Sequence, residues 1–181
     1  MALVLDGNGT MTVGNGDITG ITRGAIESTA IGAGAVLQVV QSNYSTTVTV
    51  STNTYTDTGL SASITPTSAT SKILVLVEQA FYAAAPSGGT GGGIKLLRGS
   101  TDIYNPQPTD GVGPYGHYVS APGLYTAISM RYLDSPATTS STTYKIQGRP
   151  YSSSGGMAVT FQVGGTTQNA TSSMILMEIA G

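Results

Sequence analysis

The amino-acid sequence predicts an all-β protein, an antiparallel two-sheet sandwich of the jelly-roll type with about eight strands, preceded by an N-terminal β-hairpin arm. Three observations lead to this fold. The longest apolar run, residues 71–84, is enriched in β-branched residues and bounded by proline and glycine. From residue 35 onward, short segments of strand-like polarity follow one another between turn residues. No segment of any length has the apolar period of a helix.

Residues 71–84, SKILVLVEQAFYAA, are predicted to form the central strand. Successive side chains of a strand point to opposite faces, so one face would carry Ile73 and Val75 and the other Leu74 and Leu76. Because both faces are apolar, we expect this strand to be covered on both sides by other parts of the fold.

Residues 1–34 differ in character from the rest of the chain. Three strand-like pieces, ALVLD, TMTV and DITGI, are separated by Asn8-Gly9 and Asn15-Gly16, dipeptides that favour tight hairpin turns. A lone hairpin of this size is marginal in water, so we expect a neighbouring polypeptide to order it. The side chains predicted to make these assembly contacts are Leu3, Val4, Leu5, Met11, Val13, Ile18 and Ile21. The predicted domains are therefore an arm and linker, 1–34, and a β-sandwich body, 35–181.

In the body, each predicted strand has its own signal. Residues 35–42 are apolar on both faces, residues 46–51 alternate cleanly, and residues 60–65 end at Pro66 as an edge strand would. After the central strand, the predicted strands cover residues 93–99, 124–134, 143–149, 157–163 and 172–180.

The loops between these strands hold the other predicted contact residues. Residues 86–93 are glycine-rich and predicted to be flexible, and residues 104–123 hold four of the eight prolines and are predicted to be a structured loop region. Loop tyrosines offer a large rigid area with one polar group, which suits a binding surface as well as ordinary loop packing. The predicted exposed loop contacts are Tyr104, Tyr115, His117, Tyr118 and Tyr151.

Composition excludes several classes of function. Charged residues make up only 9% of the chain and the net charge is −2, so the surface is built from small polar residues that suit dense packing against other proteins. The seven Lys and Arg residues form no stripe, and no nucleic-acid partner is predicted. The absence of cysteine removes disulfides, thiol catalysis and cysteine zinc sites. No membrane insertion is predicted, because the longest apolar run is too short and too charged.

No catalytic, cofactor-binding or metal-binding residue is predicted. The single histidine, His117, has no nucleophile and acid that the sequence places beside it. The run GGTGGG, 88–93, lacks the Lys-Ser/Thr that follows the glycines of a phosphate-binding loop. Glu78 and Glu178 stand out in apolar strands: each is either a buried carboxylate with a raised pKa or an acid that reaches solvent or a cation.

Four stretches of the sequence resemble virion proteins of tailed bacteriophages, of the kind described as tail-fibre or minor structural proteins. These stretches are MALVLDGNGTMTVGNGDITGI at the start, GAVLQVVQS at 34–42, DTGLSASITPTSATSKILVLV at 57–77 and SSMILMEIAG at the end. The resemblance implies a β-sandwich body, assembly as a homotrimer, location in the virion and attachment to the particle through the N-terminal segment.

Two placements within such a virion stay open. One small body without shaft repeats favours a capsid decoration, or cement, protein whose arm contacts the major capsid protein. The alternative is a short tail fibre or receptor-binding protein that joins tail proteins and touches a host receptor, glycan or protein, through loops of the body. An enzyme that cuts host polysaccharide would need a close pair of carboxylates, and the nine acids are widely spread.

Overall fold

The computed structural model of the chain describes residues 32–86, 89–105, 116–120, 123–152, 156–164 and 169–181. These residues form eleven β-strands and no α-helix. The strands are β1 (Val36–Tyr44), β2 (Val48–Val50), β3 (Thr56–Ile64), β4 (Lys72–Ala84), β5 (Thr90–Arg98), β6 (Thr101–Tyr104), β7 (Gly116–Val119), β8 (Gly123–Asp134), β9 (Thr142–Pro150), β10 (Ala158–Phe161) and β11 (Ser172–Ile179). Within these ranges, no helix has the length and apolarity needed to cross a membrane.

The predicted arm lies outside the described residues, apart from Gly32–Gly34. The seven apolar residues assigned to assembly contacts lie outside them as well, so both the arm and its contacts stay predictions. The body begins with a short link to the end of the chain: the N–H of Gly34 donates to the carbonyl of Ala180, and the N–H of Ala180 donates to that of Ala35, both at 2.8 Å.

The strands form two antiparallel sheets. The first sheet has six strands, β1, β2, β4, β8, β10 and β11, and the second has five, β3, β5, β6, β7 and β9. In the first sheet, β8 pairs with one edge of β4 along its length, while β11 and β10 pair with successive halves of the other edge. Strands β1 and β2 follow outside β11 and β10. In the second sheet, β9 lies between β3 and β5, and β6 and β7 pair with successive halves of β5.

This pairing is the topology of a jelly roll. In each of the pairs β1/β2, β6/β7 and β10/β11, the two strands follow one another along a single strand position of their sheet, which we call a line. The eleven strands therefore fill eight lines. Numbered in chain order, the lines run 1-8-3-6 in the first sheet and 2-7-4-5 in the second. The predicted jelly-roll sandwich is therefore confirmed. The structure has more than the eight strands predicted because three of the lines are interrupted.

The hydrophobic core lies between the two sheets and is built from the inward-facing side chains of alternating residues. In β4, Ile73, Val75 and Phe81 have no exposed surface. Their neighbours Leu74 and Leu76 point to the other side and are only half-buried. The sequence predicted cover on both sides of this strand, but among the described residues only the inner side is covered by a second sheet.

Two predicted loops contain strand instead. Residues Thr90–Gly93 belong to β5 and are buried, although 86–93 was expected to be a flexible loop. Within 104–123, residues Gly116–Val119 form β7 and pair with those four residues of β5. Glycine suits this position because the strands approach closely: an added Cβ on Gly92 would lie 2.5 Å from the carbonyl oxygen of Arg149.

Glu178, near the end of β11, is a buried carboxylate held by hydrogen bonds. It accepts from the N–H and the hydroxyl of Thr67, both at 2.7 Å, and from Gln38 Nε2 at 2.6 Å. Burial raises the pKa of Glu178, but the hydrogen bonds from Gln38 and Thr67 outweigh it and hold the pKa below its usual value. Glu178 is therefore buried without the raised pKa that a functional acid would need.

Replacing Glu178 by glutamine is expected to destabilise the body by about 1–3 kcal/mol at pH 7, because the new amide N–H groups would face donors. A carboxyl whose pKa is lowered by folding stabilises the folded state above its unfolded pKa, and this contribution is lost as the pH falls through the folded pKa. The difference in the free energy of unfolding between wild type and variant should therefore become smaller below about pH 4. Urea denaturation at pH 7 and pH 3 measures it.

The matched control for this experiment is Glu78→Gln, since Glu78 is exposed and accepts one hydrogen bond, from Ser129 Oγ at 2.6 Å. This control is expected to change the free energy of unfolding by less than about 1 kcal/mol. If Glu178→Gln lowers the free energy of unfolding by the same amount at both pH values, the result would contradict the stabilising role assigned to the Glu178 charge.

Candidate functional site

The outer face of the first sheet, turned away from the core, carries a continuous set of apolar side chains. One row crosses the whole sheet: Leu133 of β8 pairs with Leu74 of β4, Leu74 with Met177 of β11, and Met177 with Val39 of β1. We call the apolar residues of this row and of the two rows beside it the apolar patch. Its members are Val36, Val39, Leu74, Leu76, Leu133, Ile175, Met177 and Ile179.

Exposure sets the patch apart from ordinary surface residues. Val36 is 52% exposed, Val39 54% and Leu133 50%, while the other five members are half-buried by their neighbours. Single apolar residues are common on protein surfaces, but contiguous apolar patches mark places where another molecule binds. A free patch of this kind leaves apolar area in water that a partner would bury.

The outer face of the second sheet differs from the apolar patch in its chemistry. It carries Ser61, Ser63 and Thr143, and an ion pair joins Lys145 Nζ to Asp57 Oδ2 at 2.9 Å. A salt bridge this exposed adds little stability, but it indicates a face that water covers. The two outer faces of the sandwich are therefore not equivalent, and the first sheet carries the candidate interaction surface.

A groove of about 280 Å³ lies beside the patch and brings polar groups to the centre of the same face. Ser129 Oγ donates to Glu78 Oε2 at 2.6 Å on one side of it. Arg131, directly opposite Leu76 in the register, forms no ion pair with any residue that the structure describes. The residues that line the groove are Leu76, Val77, Glu78, Ser129, Met130, Arg131, Ser173 and Ile175.

Aromatic residues occupy the far half of the face. The rings of Tyr82 and Tyr125 stack with their centroids 4.1 Å apart, and Tyr125 is 43% exposed. Desolvation, and then the neighbouring Tyr82 hydroxyl, raise the pKa of Tyr125. The pair extends the apolar character of the face beyond the groove.

The loop contacts predicted from the sequence fall elsewhere. Tyr104 is half-buried and stacks on Tyr132 with centroids 4.9 Å apart, and Tyr151 is half-buried with its N–H donating to the carbonyl of Gly91. His117 and Tyr118 belong to β7, where only the backbone is described. Tyr115 lies outside the described residues, as do the seven arm residues. In the described backbone, Tyr118 pairs with Gly91, the residue whose carbonyl accepts from Tyr151. The predicted contact residues stay predictions.

The apolar patch was missed as a site, although its signal is present in the sequence. Alternating apolar residues were predicted on the second face of residues 71–84, but other parts of the body were expected to cover that face. The patch emerges only when β8, β11 and β1 are placed beside β4, because each contributes one to three of its residues.

One cluster of ionisable side chains in the body is structural. Asp134, 6% exposed, accepts from Arg98 Nη1 at 2.8 Å and from the hydroxyl of Tyr144 at 2.7 Å. Burial, then the hydrogen bond to Asp134 and the charge of that carboxylate, raise the pKa of Tyr144. Among the residues that the structure describes, no three His, Cys, Asp or Glu side chains lie close enough together to hold a metal ion.

Comparison with known proteins adds little to this description. No family model matches the chain, and no curated protein matches it. Among solved structures, a chain from "Structure of infectious bursal disease virus Gx strain" is 17% identical, with a TM-score of 0.26, over 82% of this chain and 36% of that one. This chain thus spans about a third of that neighbour's length, and a TM-score this low is below the range for a shared fold.

Proposed function

We propose that the chain is a non-enzymatic structural component of a tailed-phage virion, a homotrimeric capsid decoration protein. Its body contacts other protein subunits, and its N-terminal arm, 1–34, holds the major capsid protein. Many identical copies add buried apolar area and main-chain hydrogen bonds across the particle surface and so stiffen the shell.

The observation that carries this proposal is the apolar patch on a body with very few charges. A chain with 9% charged residues gains little from repulsion between copies, so it stays soluble best when its apolar surface is covered by another subunit. The resemblance of the sequence to tailed-phage virion proteins supplies the biological setting. The jelly roll itself is compatible with many functions and is not part of the argument.

Deleting residues 2–22 is expected to abolish binding to particles while leaving the body folded. The reason is that the arm is proposed to provide the attachment, whereas the core of the described residues lies between the two sheets of the body. The measurement is co-sedimentation of purified protein with particles that lack it, together with circular dichroism and thermal unfolding of both proteins.

A second variant covers the case in which the deletion disturbs the body. Val4→Asp with Val13→Asp keeps the full chain but places charges at two of the predicted assembly contacts of the arm. Both variants should lose binding. A truncated chain that binds as tightly as the wild type would contradict the assigned role of the arm.

The short tail fibre is the competing placement, and copy number separates the two. Hundreds of copies per particle fit a decoration protein, and a few dozen at most fit a fibre. Under the fibre hypothesis, Tyr115→Ala would change adsorption to the host, while a decoration protein would leave adsorption unchanged. Imaging intact particles with labelled protein gives the copy number directly.

A further inference from the structure

We propose that the first sheet is the surface through which copies of this chain contact one another, with the β8 edge of one copy against the β1 edge of the next around a threefold axis. The number three rests on the proposed function. The choice of surface and edges rests on the geometry of the described residues. The proposed occupant of the β1 and β8 edges of the apolar patch is a second copy of the chain.

The distribution of exposed apolar residues points to the two edges. The four large hydrophobic side chains with the greatest exposure in the described part of the chain are Val36 and Val39 on β1 and Tyr125 and Leu133 on β8. Within the described ranges, β1 pairs only with β11 and β8 pairs only with β4, so these are the two edges of the first sheet. A ring explains why both edges are apolar, because each copy then buries one edge on either side.

The strand directions and heights of the two edges also match. Strand β1 is antiparallel to β11, β11 to β4, and β4 to β8, so β1 and β8 run in opposite directions. Rotation about an axis parallel to the strands keeps each residue at its own height. Leu133 and Val39 lie in the same row and therefore meet at the same height between neighbouring copies.

Charge does not oppose this contact. In the rows of the apolar patch, Lys72 and Arg131 are the charged side chains on the outer face, and Glu78 lies in the next row. Charges of both signs are thus present, and the net charge of the chain is only −2.

The test uses the absence of cysteine from the chain. In a double variant, Val39→Cys with Leu133→Cys, the two positions of one copy are separated by three strand spacings, about 14 Å. A disulfide needs Cα atoms within about 7 Å, so it can form only between copies. After mild oxidation, a non-reducing gel is expected to show covalent dimer and trimer, with trimer as the largest product. Each single variant should stay uncrosslinked.

A matched control is available on the second sheet. Ser61 and Asp102 also lie in one row at opposite edges, joined through Lys145 and Leu97. The double variant Ser61→Cys with Asp102→Cys is expected to give no covalent oligomer. Both double variants are compared with wild type by thermal unfolding, and light scattering of the unmodified protein gives the number of copies without any substitution.

Each outcome decides the proposal. A dimer from the Leu133→Cys variant alone would mean a twofold contact and overturn the ring. A wild-type trimer without any crosslink, or with a crosslink only in the control pair, would mean that copies meet through another surface. A wild-type monomer would also overturn the proposal. Particle binding is measured separately. Retained binding without this contact leaves the proposed attachment to the capsid standing and rejects the contact between copies. Loss of binding with the contact intact rejects the attachment alone.

Discussion

Replacing Phe161 by alanine is expected to lower the free energy of unfolding of the body by about 3–5 kcal/mol, the largest effect of any single truncation proposed. Phe161 has no exposed surface and its ring lies 5.9 Å from that of Phe81, centroid to centroid. It covers the backbone of Gly148 in the opposite sheet. Removing the ring leaves a cavity between the sheets that cannot collapse, because both are held by main-chain hydrogen bonds. Urea denaturation measures the loss.

The contact between Phe161 and Gly148 makes a sharper test possible. A Cβ added to Gly148 would overlap the Cζ of Phe161, so Gly148→Ala alone should cost about 1–3 kcal/mol. In the Phe161→Ala background the same methyl group enters the cavity, and the double variant should be more stable than the sum of the two losses predicts. Additive losses would contradict this account. Thr160→Ala, the neighbouring outward position, is the control and should cost less than about 1 kcal/mol.

Replacing Gln79 by leucine is expected to cost about 2–4 kcal/mol, although leucine matches the apolar core around it. Gln79, Thr58, Gln162 and Ser172 all have no exposed surface. Gln79 Nε2 donates to Ser172 Oγ at 2.8 Å, and Gln79 Oε1 accepts from Thr58 Oγ1 at 3.2 Å. With its amide oriented to satisfy both ends, Gln162 accepts from Gln79 Nε2 at 2.7 Å. Leucine would leave buried polar partners without their hydrogen bonds.

The double variant Gln79→Leu with Gln162→Leu distinguishes a coupled network from a set of separate bonds. Each single change leaves the buried amide of the other residue without its hydrogen-bond partner, whereas the double change removes both amides. We therefore expect the double loss to be smaller than the sum of the single losses, by about 1 kcal/mol or more in a double-mutant cycle. Strict additivity, measured by urea denaturation, would show that the four side chains act independently.

This polar network lies between β10 and β11, where the line that these two strands share in the first sheet is interrupted. Gln162 follows β10 with φ of 58°, in the left-handed region that non-glycine residues rarely adopt. Its N–H donates to the carbonyl of Ala80, and the N–H of Ala80 itself donates to Ser172 Oγ at 3.0 Å. The network therefore supplies partners for backbone groups of β4 between its pairing with β11 and its pairing with β10.

The strongly periodic segments allowed the fold to be predicted. The central strand, 71–84, matches β4 (Lys72–Ala84), and the predicted strand 172–180 matches β11 (Ser172–Ile179). The start of β5 was missed because glycine carries no polarity signal. Gly92 is required there by the close approach of Arg149, a residue more than fifty positions away in the chain. Local pattern cannot report a contact of that kind.

The candidate site could not be predicted for a related reason. Alternation shows which residues of one strand share a face, and it placed Leu74 and Leu76 together. It does not show which strands lie side by side, and the apolar patch depends on the order β8-β4-β11-β1. That order brings together residues from positions 36 to 179. The loop residues named from the sequence were selected by residue type and by their position in predicted loops, neither of which carries information on register.

The proposed contact between the β8 edge of one copy and the β1 edge of the next has a consequence for how the protein behaves when it is concentrated. A head-to-tail contact closes into a ring only if the angle between neighbouring copies divides the full circle, and otherwise it continues into a filament. The polar residues of the opposite sheet do not limit such growth, because they lie away from the joining edges. A substitution that tilts β1 relative to β11 is therefore expected to turn closed oligomers of the purified chain into fibres visible by negative-stain electron microscopy.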